Sequence, residues 1–309
     1  MRRIGLVIVV SLLCFGGPVT SQAQITQPFA GITHIVRVDT SPRALHIHIV
    51  QIDLSTPGLR FVLSPPAGSR EVTRETTAAF LTRQRAQVAI NGHFFLPFPS
   101  TDADAWLIGL AASEGRVFSA FETPEQSYAL VADAPALNID RQNRASIVHR
   151  DSTKPGGLHV MESVELWTTV AGAAQIVTNG AVTIPAYKDE QHPNGVLTPG
   201  GPRNYSNANS WYDVVTARSA IGLSEDNRTL TLFTVDAGGG SNGMRVGEVA
   251  AMLVKDYGVR NALNLDGGGS TSLAMTDPAT GVISLVNTSS DNPAGRSVAS
   301  SLAVFARAK

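Results

Sequence analysis

Short stretches of β-branched and apolar residues, some alternating and some continuous, recur along the whole chain. Positions 32–38, 45–53, 87–90, 128–132, 166–170, 175–178, 230–235, 262–265, 282–286 and 302–305 read as strands. Turn dipeptides stand between several of them, among them Pro57-Gly58, Glu114-Gly115 and Thr280-Gly281. Asn179-Gly180, between 175–178 and 181–184, carries the strongest hairpin signal. Helical spacing is rarer. Val72, Thr76, Ala79, Phe80 and Arg83 predict a helix over 72–84. Val246, Val249, Ala250, Leu253, Val254 and Tyr257 form one apolar face over 244–257, with Asn242 as expected cap and Gly258 as stop. The pattern predicts an α+β fold: a mixed, strand-rich sheet core with a few packed helices in a single domain. Positions 185–213 show no periodicity and predict a long loop of the kind used as a lid or binding segment.

The start of the chain breaks this pattern. Met1-Arg2-Arg3, an apolar run over 4–15, and small residues Ser21 and Ala23 predict a signal peptide over 1–23, leaving 24–309 as the exported chain, periplasmic or secreted. The apolar run is shorter than the roughly 20 residues a membrane-spanning helix needs, so no membrane association is expected after cleavage. The single cysteine, Cys14, falls inside this leader. A thiol-free remainder excludes thiolate zinc sites, cysteine-held iron–sulfur clusters and thiol nucleophiles. With 24 basic and 25 acidic residues and no dense basic run after the leader, a nucleic-acid partner is not expected. A hydrophobic content of 43% places the chain among ordered proteins. Oligomeric state leaves no trace in the pattern.

Three segments carry candidate chemistry. In Asn264-Leu265-Asp266-Gly267-Gly268-Gly269-Ser270 an apolar strand ends in a carboxylate followed by three glycines. Such a loop presents amide N–H groups to an anionic oxygen, and Asp266 can serve as acid, base, nucleophile or metal ligand. Asn264 shares its strand face and adds a second polar group. In Asp236-Ala237-Gly238-Gly239-Gly240-Ser241-Asn242-Gly243 another strand ends in a carboxylate and glycines, and then opens the stronger helix. Gly238, Gly240 and Gly243 match dinucleotide-motif spacing literally, but too little chain follows Asp266 to complete a doubly wound sheet. In Ile90-Asn91-Gly92-His93-Phe94-Phe95 the Asn and His are hydrogen-bonding groups backed by aromatic rings. Arg218 and Arg296 each open a predicted strand, where a guanidinium can hold phosphate or pair with Asp236 or Asp266. His46 and His48 share a strand face that is either exposed or metal-binding.

The order of these segments, ending in Arg296-Ser297-Val298-Ala299, resembles the phosphodiester glycosidase family over about residues 85–306. His93 stands where relatives often carry glycine. The resemblance implies hydrolysis of a sugar-1-phosphodiester at its glycosidic bond, with release of free sugar and a phosphomonoester. It points to Asp266, Asp236, Asn264 and Arg218 as catalytic residues. It points to Asn91, Gly92, His93, Ser241, Asn242, Gly243, Gly267, Gly268, Gly269, Ser270 and Arg296 as substrate-binding residues. The sequence requires no cofactor, although its oxygen donors would suit calcium or magnesium. The alternatives are a metal-dependent phosphodiesterase and a non-catalytic protein that binds sugars or envelope polymers.

Overall fold

In the computed structural model, antiparallel strands of the described residues build five sheets, and the three larger ones close on one apolar core. The structure describes residues 8–11, 21–121, 133–184 and 214–309. The predicted strand 128–132 and the predicted loop 185–213 lie outside the described residues.

The largest sheet runs in the order Ile8–Ser11, Ser21–Phe29, Ile32–Asp39, Leu45–Asp53, Thr229–Val235, Arg218–Leu223, Asn261–Asn264, Ala174–Thr178, Ala181–Val182. A second sheet joins Ile283–Leu285, Leu273–Thr276, Val88–Asn91, Ser301–Phe305 and Arg60–Leu63. A third contains Ala111–Ser113, Thr168–Ala171 and Ala136–Ile139. Leu232, Ile221 and Leu263 of the first sheet meet Ile90, Leu273 and Leu302 of the second and Leu137 and Val170 of the third. Next to them in sequence, Phe233, Ala220 and Ala262 point the other way, onto helix Val246–Tyr257. These central strands read as unbroken apolar runs because both of their faces are covered. Full burial of a side chain such as Phe233 contributes about 1.5–3 kcal/mol. Among the described residues no helix is long and apolar enough to cross a membrane.

The strand-rich α+β expectation holds, and the predicted hairpin forms with Val177 opposite Val182 and with Asn179 and Gly180 at positive φ. Both helices start later than their spacing suggests. The first spans Thr77–Gln84, capped by Thr76, because Val72–Thr73 pairs with Asp104 and Ala105 and Glu75–Thr76 pairs with Val298 and Ser297. The second begins at Val246 behind Arg245, not behind Asn242. Met244 is held in an isolated bridge to Thr216, and the Asn242 N–H donates to the Ala44 carbonyl instead of capping. The second glycine loop therefore does not open directly into the helix. Ile8–Ser11, within the predicted leader, pairs with Gln22 to Ile25 as an edge strand.

Candidate functional site

Register brings the predicted residues to one end of the large sheet. Strand Arg218–Leu223 lies between Thr229–Val235 and Asn261–Asn264, with Arg218 opposite Val235 and Ala220 opposite Asn264. The two outer strands each run into a glycine loop just past this row, so Asp236 and Asp266 leave strands on either side of Arg218–Leu223 at the same edge.

Asp266 is fixed through its main chain. Its N–H donates to the Gly92 carbonyl (3.0 Å), and its carbonyl accepts from Asn91 Nδ2 (2.7 Å). Asn91 Oδ1 accepts from Ser219 Oγ (2.7 Å) and the Ser272 N–H (3.0 Å). This amide, expected to meet substrate, is occupied with joining three chain segments around the Asp266 loop. Gly92 admits that close approach, since a Cβ there would stand 2.6 Å from Ser300 Oγ. His93 departs from its expected role altogether. Its ring is buried in the core, where Nε2 lies within 3.0 Å of the Ala171 N–H and Nδ1 within 2.9 Å of Ser300 Oγ. Burial lowers its pKa to about 4, so the imidazole is neutral and sealed from any ligand in the cleft.

Asp266 is half-buried, and the surrounding protein removes most of the hydration of its side chain. Desolvation raises its pKa to about 6; the Ser270 hydroxyl, the Arg296 charge and the Gly267 amide oppose that rise. Arg296 bridges outward from the loop, donating to Ser270 Oγ (3.3 Å) and to Asp291 (2.8 Å). Gly269 leaves room for that guanidinium, because a Cβ would fall 2.3 Å from an Arg296 nitrogen and force the side chain to shift.

Asp236 is more enclosed, at 1% exposure. Its Oδ2 accepts from the Thr288 N–H (2.9 Å) and burial pushes its pKa up. Ser241 turns back on this strand end, donating to the Asp236 carbonyl (2.6 Å) and accepting from the His46 N–H (3.0 Å). Gly243, at positive φ, passes so close to Thr216 that a Cβ would meet its carbonyl oxygen at 2.4 Å. Asn242 is exposed. Arg218 is buried in the wall, its guanidinium donating to the carbonyls of Met244 (3.0 Å) and Val214.

Asp236 Oδ1, Asn264 Oδ1, Thr234 Oγ1 and Thr271 Oγ1 are buried without a hydrogen-bond partner in the protein. Such atoms are uncommon in folded proteins, and of the six among the described residues these four belong to the two strand ends and their loops, the other two being Ser119 Oγ and Arg150 Nε. They mark this edge of the sheet as the place where a polar ligand would be held. Among the described residues no group of three His, Cys, Asp or Glu side chains is placed to share a metal ion. His48 is buried rather than on an exposed face, stacked on His34 at 5.6 Å between ring centroids.

Apart from Arg296, sequence reasoning missed the segment 287–296, which crosses both loops. Thr288 and Ser289 lie against Gly238 and Gly239, and Asp291 and Arg296 against Gly269. The Asn287 side chain binds the Leu273 N–H (2.7 Å) and the Thr271 carbonyl (3.2 Å). In the sequence this run of Asn, Thr, Ser and Asp reads only as a loop.

Two carboxylates on glycine loops at the same edge of the sheet, beside buried polar atoms without partners, define a candidate ligand site in a strand-rich α+β protein. The chain belongs to the phosphodiester glycosidase family, whose profile matches residues 84–305. It is similar to the catalytic domain of zebrafish N-acetylglucosamine-1-phosphodiester α-N-acetylglucosaminidase auto-inhibited by its pro-peptide. That likeness has a TM-score of 0.59 at 19% identity and covers 98% of this chain and 89% of that one. A hypothetical protein from Synechocystis is similar with a TM-score of 0.56 at 20% identity, over 90% of this chain and 62% of that one. The chain thus spans under two thirds of the Synechocystis protein's length. No curated protein matches the chain.

Proposed function

We propose that this chain is an exported hydrolase that cleaves the glycosidic bond of a sugar-1-phosphodiester, releasing free sugar and a phosphomonoester. Family membership supports the reaction class, and one observation supports the site: Asp266 is held rigidly by its main chain beside Arg296, with its carboxyl titrating near neutrality. The water oxygen attacks the anomeric carbon as the carbon–oxygen bond to phosphate breaks, and the electron pair of that bond passes to the phosphate oxygen. A phosphomonoester is a good leaving group, so it needs little help from a general acid and more from a cation near its oxygens. Arg296 meets that need better than Arg218. Its remaining N–H groups border the cleft, whereas the Arg218 guanidinium is turned into the wall. Asp266 in its ionised form takes the proton of the attacking water or acts first as nucleophile, and Asp236 provides the second carboxylate. Arg218, Asn91, Ser241 and the buried His93 then serve to hold the loops in place. The leader over 1–23 and the thiol-free remainder support a periplasmic or secreted setting.

Hydrolysis of nitrophenyl sugar-1-phosphodiesters in ¹⁸O-water tests the reading. The label is expected in the released sugar. Label in the phosphate would replace the proposal with phosphodiesterase chemistry, and activity lost in EDTA would add a divalent cation. Absence of any product over a broad substrate panel would favour a binding protein.

A further inference from the structure

A groove of about 340 Å³ leads away from the Asp266 loop, between the arm carrying Thr101 and Asp102 and the segment carrying Asn292, Arg296 and Ser297. Its far wall is Arg74, ten residues ahead of the family match. Arg296 belongs to both places, since the guanidinium that reaches Ser270 Oγ also lines the groove. Phe98, 38% exposed, packs its ring under that guanidinium at 4.9 Å.

The charges of the groove do not cancel. Asp291 is paired with Arg296 (2.8 Å) and Asp102 with Arg70 (2.8 Å). Arg74 donates to the carbonyl oxygens of Ser100 (2.8 Å), Asp102 (3.1 Å) and Ser297 (3.2 and 3.1 Å), and its guanidinium lies over the Phe95 ring at 4.9 Å. Four hydrogen bonds hold the guanidinium in position, no carboxylate among the described residues forms an ion pair with it, and burial together with the nearby Arg296 lowers its pKa against the opposing charge of Asp102. Two guanidinium groups that line one groove are suited to a ligand that supplies negative charge between them.

We propose that this groove is the leaving-group subsite, and that Arg74 makes it selective for leaving groups that carry a second anionic group, a carboxylate or phosphate, beyond the scissile phosphodiester. The proposal rests on the glycosidase reading for the word leaving group, while the anion preference is a property of binding and is measured without cleavage.

The test is calorimetric titration of the full chain with two phosphomonoesters of the kind the reaction would leave, 4-carboxyphenyl phosphate and its neutral isostere 4-carbamoylphenyl phosphate. The carboxylate is expected to bind about tenfold more tightly, as for a partly exposed charge pair with a hydrogen bond. Raising the salt should shrink that ratio. Arg74→Gln should bring it close to one, and Arg74→Lys, which keeps the charge but not the fork, should retain part of it. Equal affinity of the unaltered chain for the two esters, or no binding of either, overturns the proposal whether or not the variants fold. Release of free sugar is scored separately, so an inactive chain that still prefers the carboxylate would overturn the reaction and leave the anion subsite standing.

Discussion

The two glycine loops share a sequence pattern, with an apolar strand, an aspartate, three glycines within the next four residues and then a serine, yet their surroundings make them different objects. At the first, Ser270 leans toward Asp266 and Arg296, the Asn91-Gly92 turn grips the main chain, and the carboxyl stays within reach of solvent. At the second, Ser241 folds back on the main chain of its own strand end, and the Asp236 carboxyl is enclosed under Thr288. A glycine loop therefore sets where a carboxylate stands, and the segments packed against it decide whether that carboxylate faces ligand or structure.

The sharpest way to break this comparison is to neutralise each carboxyl in turn. Asp266→Asn is expected to lower kcat by about 10³–10⁴-fold and Asp236→Asn by about 10²-fold, measured as free sugar released from a nitrophenyl phosphodiester. Equal losses would mean that enclosure does not separate the two roles.

Next in size is the pH response. With Asp266 acting ionised and its pKa near 6, kcat/KM should rise through about pH 6 and level off above it. Stability should run the other way. The folded chain holds the Asp266 proton more tightly than the unfolded chain does, so this residue's contribution to stability falls as pH rises from the ordinary carboxylate range through about 6. Asp266→Asn should then be more stable than the parent at pH 7, by about 1–2 kcal/mol after allowance for its partial exposure, with the difference vanishing near pH 4. Denaturant melts at both pH values measure this, and an Asn variant less stable at pH 7 would contradict it.

A smaller contrast comes from the serines. Ser270→Ala should cost about tenfold in kcat/KM with little change in melting, because its hydroxyl sits between Arg296 and Asp266. Ser241→Ala should do the reverse, losing about 1–2 kcal/mol of stability because the His46 N–H and the Asp236 carbonyl lose their partner, with kcat/KM unchanged within about twofold. Smaller still is the effect of removing the segment proposed as a leader. Beginning the chain at Gln24 removes the edge strand Ile8–Ser11 and the first residues of the next strand, and the melting temperature should shift by only a few degrees, about what 1 kcal/mol moves in a domain of this size.

Part of the strand pattern was legible because strand residues buried on at least one face write themselves into local hydrophobicity, whereas short strands such as Arg60–Leu63, Ala136–Ile139 and Leu273–Thr276 were too brief to stand out. The strand 45–53 and the apolar face over 246–257 were readable for that reason. The helix starts were not. What shortens them is pairing with remote segments, Glu75–Thr76 with Ser297–Val298 and Met244 with Thr216, and no local spacing encodes a partner two hundred residues away or one held by a single bridge. The candidate site divides in the same manner. Asp266, Asp236 and the glycines stand out in sequence because a carboxylate at the end of an apolar strand is conspicuous. The structural duties of Asn91 and His93, and the placement of Arg74 and Thr288 at the site, depend on which main-chain groups happen to lie within 3 Å or so of them.

By itself the sequence determined the class of fold, the family and the two loops that present carboxylates, since all three follow from short-range patterns of burial and backbone freedom. Only the tertiary structure decided which polar residues of those motifs are free to act. A buried hydrogen-bonding group takes whatever partner the packing supplies, and that partner comes from a different sheet, a crossing loop or a groove wall that the local sequence does not contain.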